Sequence, residues 1–113
     1  MSVAADRFLI VLTTAGSEEQ ARNLAHALVE RRLAACVNVV QHGCSIYLWK
    51  GEIVEEAERL LVIKTEKRLF PAVSEAIREL HSYELPEVIA LPLSDGDPEY
   101  LEWLAGCLTE ATD

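Results

Sequence analysis

Several short stretches carry the residue types from which a site can be built. His81, Tyr83, Glu84 and Glu87 fall within seven residues, ahead of and around Pro86. An imidazole with nearby carboxylates can bind a metal or move a proton. Cys36 sits in the β-branched run Ala35-Cys36-Val37-Asn38-Val39-Val40. Cysteine is commonly a silent core residue, but its thiolate also suits copper or zinc. Tyr47 and Trp49 alternate along Ser45-Ile46-Tyr47-Leu48-Trp49, so both rings face one side of an extended chain. Lys64 closes the apolar run Leu60-Leu61-Val62-Ile63 and either snorkels to solvent or points into a site as an anion binder. His42-Gly43-Cys44 pairs an imidazole with a thiol, but two ligands do not close a metal site. Glu55, Glu56, Glu58 and Glu66 read as a solvated acidic face or a loose attractor of cations. No GxGxxG, Walker loop, HExxH, GxSxG or CxxC pair is present, no activated nucleophile is visible, and the chain is expected not to be an enzyme.

The elements that position these residues follow from pattern. Phe8–Thr13 is a continuous apolar run of strand length, read as a strand covered on both faces. Ser17 with Gln20 three residues later is a capping-box signature. The apolar spacing of Ala21, Leu24, Ala25 and Leu28 then predicts a helix to about Arg32. Residues 35–49 predict one long strand bent at a glycine bulge, or two short ones. Lys50-Gly51-Glu52 is a tight turn, and 53–65 runs back as the second arm of a long hairpin. Leu69, Ala72, Val73, Ala76, Ile77 and Leu80 mark a second amphipathic helix, with Pro71 near its start. Residues 87–91 form a fourth strand, placed by Pro92 at a sheet edge. Asp97-Pro98-Glu99 starts a short C-terminal helix, with Asp as the cap and Pro at the first position. The order strand-helix-strand-strand-helix-strand plus a terminal helix is the ferredoxin-like, split βαββαβ arrangement, an α+β fold with one antiparallel sheet. One domain over 8–113 follows a loose tail at 1–7. The sheet face opposite the helices, with Tyr47 and Trp49, is too apolar for a small monomer to leave wet, so a homo-oligomer is expected.

Composition narrows the partners. The chain has 113 residues and a formal net charge of −9, with half its residues hydrophobic. That length fits one domain with a core of its own. The acidic balance excludes a phosphate-backbone binder, so no nucleic-acid partner is expected. The longest apolar run, Phe8–Leu12, is far below the roughly 20 residues of a membrane span, and no membrane association is expected. No basic leader precedes it, and three unpaired cysteines fit a reducing compartment; the expected location is cytoplasmic.

Taken together, the strings Leu33-Ala34-Ala35-Cys36-Val37-Asn38, Ser45-x-Tyr47-x-Trp49-x-Gly51-x-Ile53, Ile63-Lys64-Thr65, His81-x-Tyr83-x-x-Pro86-Glu87 and Gly96-Asp97-x-x-Tyr100-Leu101-x-Trp103 resemble the CutA family, the divalent-cation tolerance proteins. The likeness covers about 8–104. It implies a tight homotrimer, similar to that of the PII signalling proteins, with the long hairpins pairing between subunits and clefts between them. It also implies a role in tolerance to divalent metals, Cu²⁺ especially. The metal-ligand candidates are Cys36, His81 and Glu87. The alternative is a signalling module that holds a small anionic metabolite in an inter-subunit cleft, against Tyr47, Trp49, Lys64 and Tyr83. Some members carry further cysteines in the first strand and second helix; the corresponding positions in this chain look like Thr13 and Ala76, so only Cys36 carries over. The family's His-Pro-Tyr is here His81-Ser82-Tyr83.

Overall fold

The structure, a computed structural model, describes residues 4–110. Residues 1–3 of the expected tail and 111–113 of the expected domain lie outside that range. Residues 5–7 form a turn of 3-10 helix, and the Arg7 guanidinium pairs with the Glu66 carboxylate. Four strands follow in the chain: β1 (Phe8–Ala15), β2 (Cys36–Trp49), β3 (Glu52–Glu66) and β4 (Ile89–Pro92). They make one antiparallel sheet in the order β2-β3-β1-β4. Helices α1 (Glu18–Glu30) and α2 (Phe70–Leu80) alternate with them, and α3 (Pro98–Cys107) ends the described chain. This is the expected split βαββαβ arrangement.

The pleat of the sheet decides what is buried. Leu9, Val11, Thr13 and Ala15 of β1 share one face, with Leu61 and Ile63 beside them on β3. That face packs against Leu24 and Leu28 of α1 and Val73, Ala76 and Ile77 of α2 in a single core. Each fully buried Leu, Ile or Val side chain there contributes about 1.5–3 kcal/mol. A second cluster, Phe8, Leu69, Leu101, Leu104 and Leu108, closes the sheet end where β1 begins, beneath α3. The opposite sheet face has no helix over its middle, and Val40, Ile89 and Leu91 on it are about half exposed.

Element ends follow local chemistry, and several depart from expectation. The Ser17 hydroxyl accepts the Gln20 N–H at 3.1 Å, as a cap should. The Gln20 side chain does not return to the cap. It donates to the Leu80 carbonyl at 3.2 Å and accepts from the Ser82 N–H at 3.0 Å, tying α1 to the connector after α2. Helix α1 ends two residues earlier than expected. Arg32 there takes a left-handed conformation (φ 59°), and the Leu33 N–H reaches back to Leu28. The fourth strand starts at Ile89 rather than Glu87 and includes Pro92. Pro92 is tolerated because β4 is an edge strand, paired among the described residues with β1 alone.

The acidic face expected on β3 is not solvated throughout. Glu58 and Glu66 are 6% and 1% exposed. Glu66 is held between Arg7 and Arg68, and Glu58 accepts from Tyr83. Glu66 ends β3, and Glu58 lies mid-strand but one residue beyond the last pair with β1, so partners from other elements can reach both.

The β2–β3 hairpin runs past the body of the domain, and the molecule extends 51 × 25 × 22 Å. Its two-residue turn uses positive φ at Lys50 (50°) and Gly51 (84°), matching the twist of the arm. Between Val40 and Gly43 the register shifts, with Gln41 and His42 spanning the space opposite Arg59 and His42 at φ 61°. The expected bulge therefore sits immediately before the glycine. At Gly43 a Cβ would lie 2.7 Å from the Glu58 carbonyl oxygen, so only glycine lets β3 approach there.

Candidate functional site

A cleft opens where the hairpin arm meets the connector between α2 and β4. Its inner part, about 380 Å³, is lined by Thr14, Ser45, Tyr47, Glu58, Tyr83 and Glu87, with Ile46 and Leu85 at its margin. The outer part, about 350 Å³, shares Tyr47 and Tyr83 and adds Trp49, Glu56 and Glu84. Among the described residues no Lys or Arg lines either part.

His81 sets the connector. It caps α2 through its backbone N–H to Ile77 (2.8 Å). Its Nδ1 accepts the Tyr83 N–H at 3.0 Å, which assigns the ring proton to Nε2, and Nε2–H donates to the Thr14 carbonyl at 2.6 Å. The imidazole is thus a neutral bridge from β1 to the connector, with both nitrogens engaged. Its ring packs against that of Tyr83, with centroids 4.5 Å apart.

Two tyrosine–glutamate pairs build the walls. The Tyr83 hydroxyl donates to Glu58 Oε2 at 2.5 Å, and the Tyr47 hydroxyl donates to Glu56 Oε1 at 2.7 Å. Burial, then the hydrogen bond to Glu58, pushes the Tyr83 phenol well above its ordinary range. The bond to Glu56 raises that of Tyr47. Both phenols therefore stay neutral, and both carboxylates are oriented by them. Gly16 makes room for this: a Cβ there would lie 2.9 Å from the Tyr83 hydroxyl oxygen. Trp49 stands at the outer mouth, and the Lys50 ammonium lies 5.6 Å from its ring centroid.

The structure brings together some of the residues singled out from the sequence and separates others. Tyr47, Trp49 and Tyr83 share the outer cleft, and Glu87 lines the inner one. Lys64 does not line either part; it pairs in register with Cys36 on β2 and Ile10 on β1. Cys36, His81 and Glu87 do not converge. Cys36 lies level with Ile10, whereas His81 bonds Thr14, four residues along β1 and roughly 13 Å away at the rise of a strand. Among the described residues no three of His, Cys, Asp and Glu gather around one point within a subunit. The carboxylates of the cleft are oxygen donors of the kind hard divalent cations take.

Thr14 and Gly16 belong to the site and carry no signal in the sequence, while Glu56 and Glu58 are visible there only as part of an acidic face and not as cleft walls. A signal for the glutamates exists. A two-residue turn at Lys50-Gly51 pairs Trp49 with Glu52 and Tyr47 with Val54, and the pleat then puts Glu56 and Glu58 on the same side as the two rings. Nothing local marks Thr14 or Gly16, whose roles depend on a connector 65 or more residues away.

The comparisons with known proteins agree with the family resemblance and the fold. A family model described as CutA1 divalent ion tolerance protein matches residues 9–107. A divalent-cation tolerance protein CutA of Thermus thermophilus is 54% identical over 95 residues, covering 84% of this chain and 92% of the relative. A human protein CutA is 45% identical over 100 residues, covering 88% of this chain but 56% of the relative, so the chain spans little more than half of that protein. Among solved structures, the Thermus thermophilus divalent cation tolerance protein superposes with a TM-score of 0.88 at 50% identity, covering 90% of this chain and 99% of its own. CutA1 from Oryza sativa superposes with 0.92 at 38% identity, covering 96% and 100%.

Proposed function

The chain belongs to the CutA1 divalent ion tolerance family, and from that premise we propose that it takes part in tolerance by binding the cation itself, as a cytoplasmic homotrimer, with Cu²⁺ the first ion to test. A role in divalent ion tolerance comes with family membership; direct binding, copper, the trimer and the compartment are our reading. One observation carries it: the cleft presents Glu58 and Glu87 inside and Glu56 and Glu84 outside, with no basic side chain among the described residues of its lining. That field draws cations and repels anions. It favours the cation over an anionic metabolite, for which Lys64 was the expected contact and is elsewhere.

Glu87 and Glu58 are the proposed ligands from one subunit. The remaining coordination positions fall to water or to a neighbouring copy. His81 keeps a positioning role in this reading, since ligation would break one of its two ring hydrogen bonds. Cys36, on the sheet face opposite α1 and α2, is not part of this ligand set.

The test is calorimetric titration of reduced, metal-free protein with Cu²⁺ and, for comparison, Mg²⁺. Saturable binding with a whole-number stoichiometry per subunit, weakened roughly tenfold or more by Glu87→Gln, is the expected result. Heats that never saturate and are the same in Glu87→Gln would overturn direct binding at this cleft.

A further inference from the structure

The outer half of the cleft has chemistry that the divalent-cation reading does not use. Three aromatic side chains, Tyr47, Trp49 and Tyr83, line one space of about 350 Å³ together with Glu56 and Glu84. A bare divalent cation does not need rings; it takes oxygen and holds its water tightly. Rings with carboxylates, with Lys50 outside the lining but beside Trp49 at the mouth, suit a different ion, one whose charge is spread over weakly hydrated alkyl groups. Such a cation gains from aromatic faces and from the negative field, and its methyl groups fill apolar space left by Val54 and Leu85.

We propose that this outer cleft binds a small organic cation through an alkylated ammonium group, held against Trp49, Tyr47 and Tyr83 and balanced by Glu56 and Glu84.

Three further observations fit. The chain's own Lys50 ammonium already lies 5.6 Å from the Trp49 ring centroid, which shows that this ring accepts a cation in its present setting. The hydroxyls of Tyr47 and Tyr83 are committed to Glu56 and Glu58, so these side chains offer a ligand their ring faces rather than a phenol donor. Tyr47 and Trp49 are each 38% exposed, half open to solvent and half supported from below, as walls of an occupied site should be. The site stands apart from the metal reading: Trp49 and Glu84 line only the outer part and Glu87 only the inner.

The experiment is an NMR titration of the protein with choline chloride, following the ring resonances of Tyr47 and Tyr83, which every variant retains, with sodium chloride at matched ionic strength as the control. Saturable shifts across the millimolar range are expected with choline and not with sodium. Trp49→Leu should weaken binding about fivefold to thirtyfold, the range of one to two cation–π contacts. Glu56→Gln, a change without loss of volume, should weaken it as well. Glu87→Gln should leave choline binding intact while weakening the divalent ion, so the two readings fail separately. Shifts that match those of sodium chloride, or choline affinity unchanged in both Trp49→Leu and Glu56→Gln, would overturn the proposal.

Discussion

Tyr83 concentrates much of the site's chemistry in one side chain. Its backbone N–H fixes the His81 tautomer, its ring packs on that imidazole, and its hydroxyl satisfies Glu58, a carboxylate 6% exposed. Because the folded state raises its phenol above the ordinary value of 10.0, the linkage has a definite sign. Below pH 10.0 both folded and unfolded chains keep the proton, and the contribution of Tyr83 is fully present. Above it the unfolded chain ionises first, and stability falls as pH rises. Urea melts at a series of alkaline pH values should show that decline, and ultraviolet titration should find Tyr83 among the last tyrosines to ionise. Tyr83→Phe should flatten the alkaline limb while lowering stability at neutral pH by about 1–3 kcal/mol, since Glu58 loses a donor in a buried setting. The sequence made Tyr83 and Glu87 visible as a polar connector beside Pro86. It did not make Glu58 visible as a cleft wall, because a glutamate in an alternating strand looks the same whether its face meets water or a phenol.

At the scale of the element, the bulge at Gln41–His42 decides the site. A strand's side chains alternate, so one added residue reverses the face of everything beyond it. With the bulge, Tyr47 pairs with Val54 and stands on the side of Glu56 and Glu58. Were the same residues paired without it, Tyr47 would face Ile53 and the opposite side of the arm. Deleting His42 removes the added residue itself and should close the bulge, with Gln41 opposite Arg59, Gly43 still opposite Glu58 and Tyr47 still opposite Val54, so that both rings keep the cleft side. The Tyr47–Glu56 hydrogen bond and the response of the Tyr47 and Trp49 ring resonances to a cleft ligand should survive, and the helix content should stay unchanged by circular dichroism. The strand order, the hairpin and both long helices were legible from periodicity, capping residues and the Lys50-Gly51 turn. The position of the bulge was legible only as a glycine nearby, since what requires Gly43 is the Glu58 carbonyl across the ladder. Likewise β4 was placed two residues early, because its start is set by pairing with Leu12 of β1 and not by its own propensity.

At the scale of the whole molecule, the exposed apolar residues are the outstanding fact. Ile46, Leu48 and Ile53 on one side of the arm are 66%, 70% and 77% exposed, and Val40, Ile89 and Leu91 on the helix-free sheet face are about half exposed. A soluble monomer rarely leaves that much uncovered, and the proposed homotrimer is the assembly that covers it. Light scattering should give a mass of three subunits of 12.6 kDa each. Ile53→Asp, at a position that supports no core of its own subunit, should shift the population toward monomers with the fold retained.

The arm has one more consequence. From Cys44 to Ala57 no residue is buried, whereas β1 and the inner half of β3 alternate with fully enclosed side chains. A lone subunit thus carries two regions of unlike local stability joined end to end: a body that exchanges its amide protons only by global unfolding, and an arm that opens on its own. Protease resistance of the arm then reports association rather than folding. Dilution alone should make residues 44–57 cleavable while the body survives, and the cleft walls supplied by Tyr47 and Trp49 would be the first part of the site to lose order.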